Sequence, residues 1–244
     1  MKYRLLDLFS GIGGFSLGLE RSGGFKTVAF CEIEKFPRAV LKKHWPEVPC
    51  YDDIRTLTAV RLTNDGIAVD VICGGFPCQD LSTVGRQNGI TADRSGLWGE
   101  MQRLVGELRP RYVIVENVTN LLAGERGGWF ATVLGDLAAL GYDAEWHCIP
   151  ASYFGAPHIR DRVWIISAPN IPENGIGSIG RIFARCSMSR GNGSSQWRTP
   201  VPAVSRMGDA IPGELDRLAA LGNAVFPQIP EMIGRAIMEA DLNL

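Results

Sequence analysis

The sequence lacks any apolar run approaching the roughly 20 residues of a membrane-spanning helix, so no helical span is expected. Its opening Met1-Lys2-Tyr3-Arg4-Leu5-Leu6 has neither the longer apolar stretch nor the cleavage site of a secretory leader. It also lacks a C-x-x-C pair, because Cys31, Cys50, Cys73, Cys78, Cys148 and Cys186 are scattered. That spacing supports neither a disulfide framework nor a zinc site. No metal is expected, and reduced thiols in a cytoplasm are the expected state. Surplus basic charge is missing too: 25 Lys and Arg against 26 Asp and Glu leave a net charge of −1. On bulk charge alone a nucleic-acid partner is disfavoured, since phosphate binding draws on excess cations.

Distribution changes that reading. Asn174 to Gly208 contains no Asp or Glu, while Arg181, Arg185, Arg190, Arg198 and Arg206 all fall inside it. Such a stretch is either a solvated loop or an arm for phosphates.

What is present is a core. With 244 residues and 45% apolar content the chain can bury one large α/β domain. Short, continuous apolar runs at Arg4–Phe9, Thr27–Cys31, Val69–Cys73, Tyr112–Val115, Tyr142–Ile149 and Val163–Ala168 suit strands covered on both faces. Helical spacing falls between them at Phe15–Ser22, Lys35–His44, Ile54–Thr63, Leu97–Leu108 and Gly128–Leu140. The alternation predicts a doubly wound, mostly parallel, Rossmann-like sheet. Only Pro150–Arg162 separates the last two strands, too short for a full crossover helix, so an antiparallel hairpin is expected at one edge. Residues 169–206 read as irregular and Gly/Ser/Asn/Arg-rich. Helical spacing resumes at Leu215–Leu221 and Pro227–Met238, and the last helix is expected to return to the sheet. The domain reading is therefore 1–168, a small appended region at 169–206, and a returning segment at 207–244.

Chemistry concentrates at strand ends. The first strand runs into Asp7-Leu8-Phe9-Ser10-Gly11-Ile12-Gly13-Gly14-Phe15, where glycines let the backbone approach a ligand closely. Glu32 ends the second strand, placed to accept from ribose hydroxyls, and Asp53 follows a third strand, placed to read an adenine amino group. The glycines depart from G-x-G-x-x-G, which argues against pyrophosphate and for an adenosine ligand such as S-adenosylmethionine. Strand Val69–Cys73 delivers Gly74-Gly75-Phe76-Pro77-Cys78-Gln79. A lone cysteine is more often a small buried hydrophobe than a nucleophile. Here Val115-Glu116-Asn117-Val118 ends the next strand, and Arg160-Asp161-Arg162 leads into the last, so a thiol, a carboxyl and two guanidiniums converge.

Together these segments resemble the DNA cytosine-5 methyltransferase family, in a small bacterial, phage or prophage form. Asp7 to Phe15 is similar to its cofactor motif, Pro77-Cys78-Gln79 to its nucleophile motif, and Glu116-Asn117-Val118 to its base-activating motif. Arg160-Asp161-Arg162 is similar to its Arg-x-Arg motif, and Gly222-Asn223-Ala224-Val225 with Pro227 to its last. The resemblance implies methyl transfer from S-adenosylmethionine, leaving S-adenosylhomocysteine, to C5 of a flipped-out cytosine in double-stranded DNA. Cys78 would add to C6, Glu116 would contact N3 and the exocyclic amine, Arg162 would hold O2 and Arg160 would support the loop. Phe9, Ser10, Gly11, Gly13, Gly14, Glu32, Ile33, Asp53, Ile54, Pro77, Asn223 and Ala224 would hold the cofactor. Leu81 to Gly96 looks like the catalytic loop, with Ser82, Arg86, Gln87 and Arg94 for the DNA backbone. Arg181, Arg185, Arg190 and Arg198 then read as further phosphate contacts.

Departures accompany the match. His158 stands where the family usually has Gln, and Ile33 where many members place a larger side chain against adenine. Residues 169–206 are short for a target-recognition region, which implies relaxed specificity or help from a partner subunit or self-association. The alternatives are a tRNA cytosine methyltransferase, whose usual Cys-Phe-Thr is absent, a catalytically silent DNA-binding relative, and a nicotinamide oxidoreductase, which leaves the Cys78 and Glu116 motifs unexplained.

Overall fold

The computed structural model describes residues 2–77, 97–156, 159–170, 182–186 and 220–242. Its strands are β1 (Tyr3–Leu8), β2 (Phe25–Cys31), β3 (Cys50–Tyr51), β4 (Val71–Gly74), β5 (Tyr112–Val118), β6 (Tyr142–Pro150) and β7 (Asp161–Pro169). They form one sheet in the order β3-β2-β1-β4-β5-β7-β6. β1 to β5 are mutually parallel, whereas β7 is antiparallel to both β5 and β6. The expected hairpin is therefore present, but its second strand is inserted beside β5 and its first is left at the edge. That insertion sets the start of β7 against the end of β5.

The parallel strands are mostly apolar because helices cover both faces. Leu6, Leu8, Ile72, Val113 and Val115 pack towards α3 (Ala59–Asn64), α4 (Leu97–Leu108) and α6 (Gly128–Ala139). Leu5, Val71, Cys73, Tyr112 and Ile114 pack on the other side with Phe15 and Leu19 of α1 (Gly14–Arg21) and with Ile229, Ile233, Ala236 and Ile237. These last four belong to the C-terminal helix, Gln228–Leu242, labelled α8 after α2 (Lys35–His44), α5 (Asn120–Ala123) and α7 (Ile182–Arg185). Asp241 fastens the end of α8 to the sheet, accepting from Tyr3 Oη, from Arg111 Nη2 at 2.8 Å and from Tyr112 Oη at 2.8 Å.

One expected helix begins late. Periodicity predicts helix from Ile54, yet α3 starts at Ala59, because Thr58 is extended and its Oγ1 accepts from Arg61 N at 3.1 Å as an N-cap. Residues 53–57 instead form turns, with Thr56 N donating to Asp53 O and Leu57 N to Ile54 O. The expected helix Leu215–Leu221 lies mostly outside the described residues; 220–223 are helical. Among the described residues no helix is long and apolar enough to cross a membrane.

Candidate active site

The loops that carry the motifs leave the carboxyl edge of the sheet, where parallel α/β sheets bind ligands. After β1 the chain turns through Phe9 (φ 53°), Gly11 (φ 53°) and Gly13 (φ 86°) into α1. A bulky residue in the left-handed region is strained and persists only where its surroundings hold it. Ser10 supplies that hold: its Oγ donates to Asp7 O at 2.6 Å, accepts from Cys31 N at 3.3 Å, and its carbonyl accepts from Gly13 N. Gly11 N donates to Glu32 Oε2 at 2.7 Å and Glu34 N to Glu32 Oε1 at 2.8 Å, so the loop and Glu32 are fixed to each other. Fully buried Asp7 accepts from Ser16 Oγ at 2.7 Å and Ser16 N at 3.3 Å, tying β1 to α1 beneath the loop. Burial pushes the Asp7 carboxyl up to about 7, while the Ser16 bonds pull it back.

The glycines also make room for chain. A Cβ on Gly14 would lie 2.4 Å from Val225 O, and one on Gly18 2.2 Å from Pro227 O. The C-terminal segment thus lies directly on α1. Between them is a cleft of about 270 Å³ lined by Ile12, Gly13, Gly14, Arg160, Ala224 and Val225, among others.

Gly74 of β4 pairs with Val115 of β5, so Gly75, Phe76 and Pro77 leave the sheet beside Glu116. A Cβ on Gly75 would sit 2.9 Å from Glu116 Oε2, so a side chain there would crowd the carboxylate. Buried Asn117 donates from Nδ2 to Phe76 O at 3.2 Å, holding the turn that leads towards Cys78. On the other side of β5, Glu116 pairs with Trp164 and Val118 with Arg162 of β7. Glu116 and Arg162 are diagonal neighbours on one face, within reach of long side chains. Arg162 Nε lies 3.1 Å from Glu116 Oε1, with the side chains 22% and 12% exposed. Burial raises the Glu116 carboxyl above its ordinary value, against the pull of Arg162 and Arg160. A carboxyl in this setting holds a proton more readily than a surface glutamate and has a cation beside it.

Arg160 also has positive φ (35°), and donates from Nη1 to Gly222 O at 2.6 Å and from Nη2 to Ala224 O at 2.7 Å. The resemblance gives it to the catalytic loop; among the described residues it holds the C-terminal segment. Burial, then the charge of Arg162, lowers its pKa.

A family model for C-5 cytosine-specific DNA methylases matches residues 3–181. The chain belongs to that family. The chain is 36% identical over 169 residues to the type II methyltransferase M2.BsuMI of Bacillus subtilis (strain 168), covering 68% of itself and 42% of the relative. It is 31% identical over 215 residues to the type II methyltransferase M1.ScrFI of Lactococcus lactis subsp. cremoris, covering 88% and 50%. The chain thus spans about half the length of the curated relatives it matches. A prophage-encoded E. coli protein assigned as a DNA modification methyltransferase superposes with a TM-score of 0.59 at 28% identity, over 69% of this chain and 47% of that one. The S. pombe Dnmt2 methyltransferase shares the fold, with a TM-score of 0.57 at 21% identity over 75% and 54%.

Within this family member the sequence-derived residues divide as follows. Glu116, Arg160 and Arg162 come together, as do Phe9 to Gly14 with Glu32, and Gly13 and Gly14 with Ala224. Pro77 is half-buried, Ile33 is 61% exposed, Asn223 is exposed, and Ile54 is buried in the core. Asp53 turns onto Arg55, accepting from Nη2 at 2.9 Å. Arg185 is half-buried on α7, and its Nε has no hydrogen-bond partner among the described residues. Cys78, Ser82, Arg86, Gln87, Arg94, His158, Arg181, Arg190 and Arg198 lie outside the described residues. Sequence reasoning missed Asn117 and Gly75, although both stand inside quoted motifs. Neither carries a reactive group, and only the pairing of β4 with β5 gives them a task.

Proposed function

We propose that this chain methylates C5 of cytosine in double-stranded DNA, with Cys78 as nucleophile and S-adenosylmethionine as methyl donor. The observation that carries the reading is the Glu116–Arg162 pair, set at 3.1 Å beside the turn that leads to Cys78. Cytosine C5 is a poor nucleophile because attack there disrupts the ring. Addition of the Cys78 thiolate to C6, with a proton delivered to N3 by Glu116, leaves an enamine whose C5 is nucleophilic. Arg162 balances charge beside Glu116 and favours the thiolate. Once C5 has been methylated, loss of its proton to a base and departure of Cys78 restore the aromatic ring. Cytosine C6 is shielded in a stacked duplex, so the base must be flipped out first.

The described residues suit an adenosyl group. Each Glu32 oxygen accepts one backbone N–H and retains a lone pair for a ribose hydroxyl. The Asp53 carboxylate accepts from Arg55 N, Nε and Nη2, so an adenine amino group would bind it by displacing an Arg55 bond, and Ile33 is exposed for a ring face. S-adenosylmethionine, when bound, supplies an electrophilic methyl group on sulfur. In the domain reading, 1–168 carries the chemistry, 169–206 the recognition of DNA through Arg181, Arg185, Arg190 and Arg198, and 207–244 closes the cofactor side. Thermal shift tests the cofactor arm: S-adenosylhomocysteine should raise Tm and NAD should not. Stabilisation by NAD alone would reverse the assignment.

A further inference from the structure

From the geometry of α4 we infer that Arg103 is a positioning residue for the cofactor: it keeps residues 53–57 out of helix, so that Asp53 stands at the end of an open turn. This rests on the reading of Asp53 given above. The sequence pattern alone would wind a helix from Ile54. In such a helix the Ile54 carbonyl would accept from residue 58 and the Leu57 carbonyl from residue 61. Arg103 Nη2 donates to both instead, at 3.0 Å from Ile54 O and 2.9 Å from Leu57 O. Among the described residues the only backbone bond to Ile54 O is the i+3 bond from Leu57 N, which closes a turn and not an α-helix. Thr58 Oγ1 takes the Arg61 N–H that the Leu57 carbonyl would have bound.

The guanidinium is aimed by its own helix. Nε donates to Glu100 Oε2 at 2.8 Å and Nη1 to Glu107 Oε1 at 2.7 Å, the i−3 and i+4 positions that share a face with Arg103. Glu107 Oε2 then accepts from Ala59 N at 2.9 Å, at the start of α3. One side chain therefore reads two carbonyls while two carboxylates fix its plane. Lysine's compact ammonium, with three donors on one nitrogen, does not reproduce the planar fork that meets two carbonyls and two carboxylates at once. Exposed ion pairs contribute little to stability, and the three side chains are about one-third exposed. The two carbonyl bonds set the shape of the turn that ends in Asp53.

The test is calorimetric titration of S-adenosylhomocysteine into wild type, Arg103→Lys and Arg4→Lys, with thermal melts of all three. Arg4→Lys loosens a comparable exposed pair, Arg4–Asp70 at 2.6 Å, remote from the turn. Arg103→Lys should weaken binding roughly ten-fold, the scale of two lost hydrogen bonds, and Arg4→Lys should leave it unchanged at a similar Tm. Unchanged binding in Arg103→Lys, or an equal loss in Arg4→Lys, overturns the inference and leaves the cofactor reading intact. A wild type that binds no S-adenosylhomocysteine overturns both. Should Arg103→Lys not fold, Glu100→Gln, which removes one aiming carboxylate, must weaken binding about two- to three-fold, and no shift there overturns the inference.

Discussion

Glu116 is the residue whose environment says most. A carboxyl raised by burial and steadied by an adjacent guanidinium is suited to holding and giving up a proton within a reaction. Glu116→Gln keeps the shape and offers a fixed amide donor, but cannot give up and take back a proton. It should lower kcat at least roughly 100-fold while leaving S-adenosylhomocysteine affinity unchanged. Steady-state kinetics beside a binding titration check this, and equal losses in both would mean a collapsed site. Asp7 gives a pH prediction. Its folded value of about 7 lies above its ordinary 3.8, so its stabilising contribution is full below about pH 4 and is lost as pH rises through 7. Urea unfolding at about pH 5 and about pH 8 should therefore show a smaller loss of stability in Asp7→Asn than in wild type; an equal loss would contradict the assignment. Half-buried Glu145, also pushed up to about 7, adds a loss of the same sign in both proteins.

At the scale of elements, the glycines of α1 test how the C-terminal segment closes the cleft. A methyl on Gly18 would meet Pro227 O at 2.2 Å and Pro230 Cγ at 2.6 Å. Gly18→Ala should cost about 1–3 kcal/mol by overpacking and weaken S-adenosylhomocysteine binding, both readable from ligand-dependent melts. An unperturbed Tm would mean that α8 can move aside at no cost. The elements themselves were largely legible: β1, β2, β4, β5 and the β6–β7 hairpin follow from apolar runs, because strands buried on both faces cannot alternate. Three things were not legible. Which hairpin strand docks on β5 depends on the path of the chain through space, whereas the short connection dictates only that β6 and β7 pair. The late start of α3 depends on Arg103, 49 residues from Ile54 in sequence. The role of Asn117 depends on a backbone carbonyl 41 residues away. Of the glycines, the sequence anticipated ligand approach but not the closeness of Val225 and Pro227. Both demands are met by the same missing side chain, so composition cannot separate them.

For the whole molecule, the proposed activity requires a chain about half the length of its relatives to select a cytosine. A net charge of −1 supplies no general attraction to DNA, so binding must draw on local cations and weaken steeply with salt. If the short 169–206 region makes few base contacts, mapping of 5-methylcytosine on random-sequence DNA will return a short or degenerate motif. A long, strict motif would overturn relaxed specificity and point to recognition from a partner subunit. The central claim is more basic than the choice of site. It is tested most directly by incubating the chain with tritiated-methyl S-adenosylmethionine and double-stranded DNA, with tRNA in parallel, then digesting to nucleosides. Wild type should place label in DNA as 5-methyldeoxycytidine, and Cys78→Ala should place none while still binding S-adenosylhomocysteine. Label in tRNA alone, label on another base, or undiminished transfer by Cys78→Ala would contradict the account.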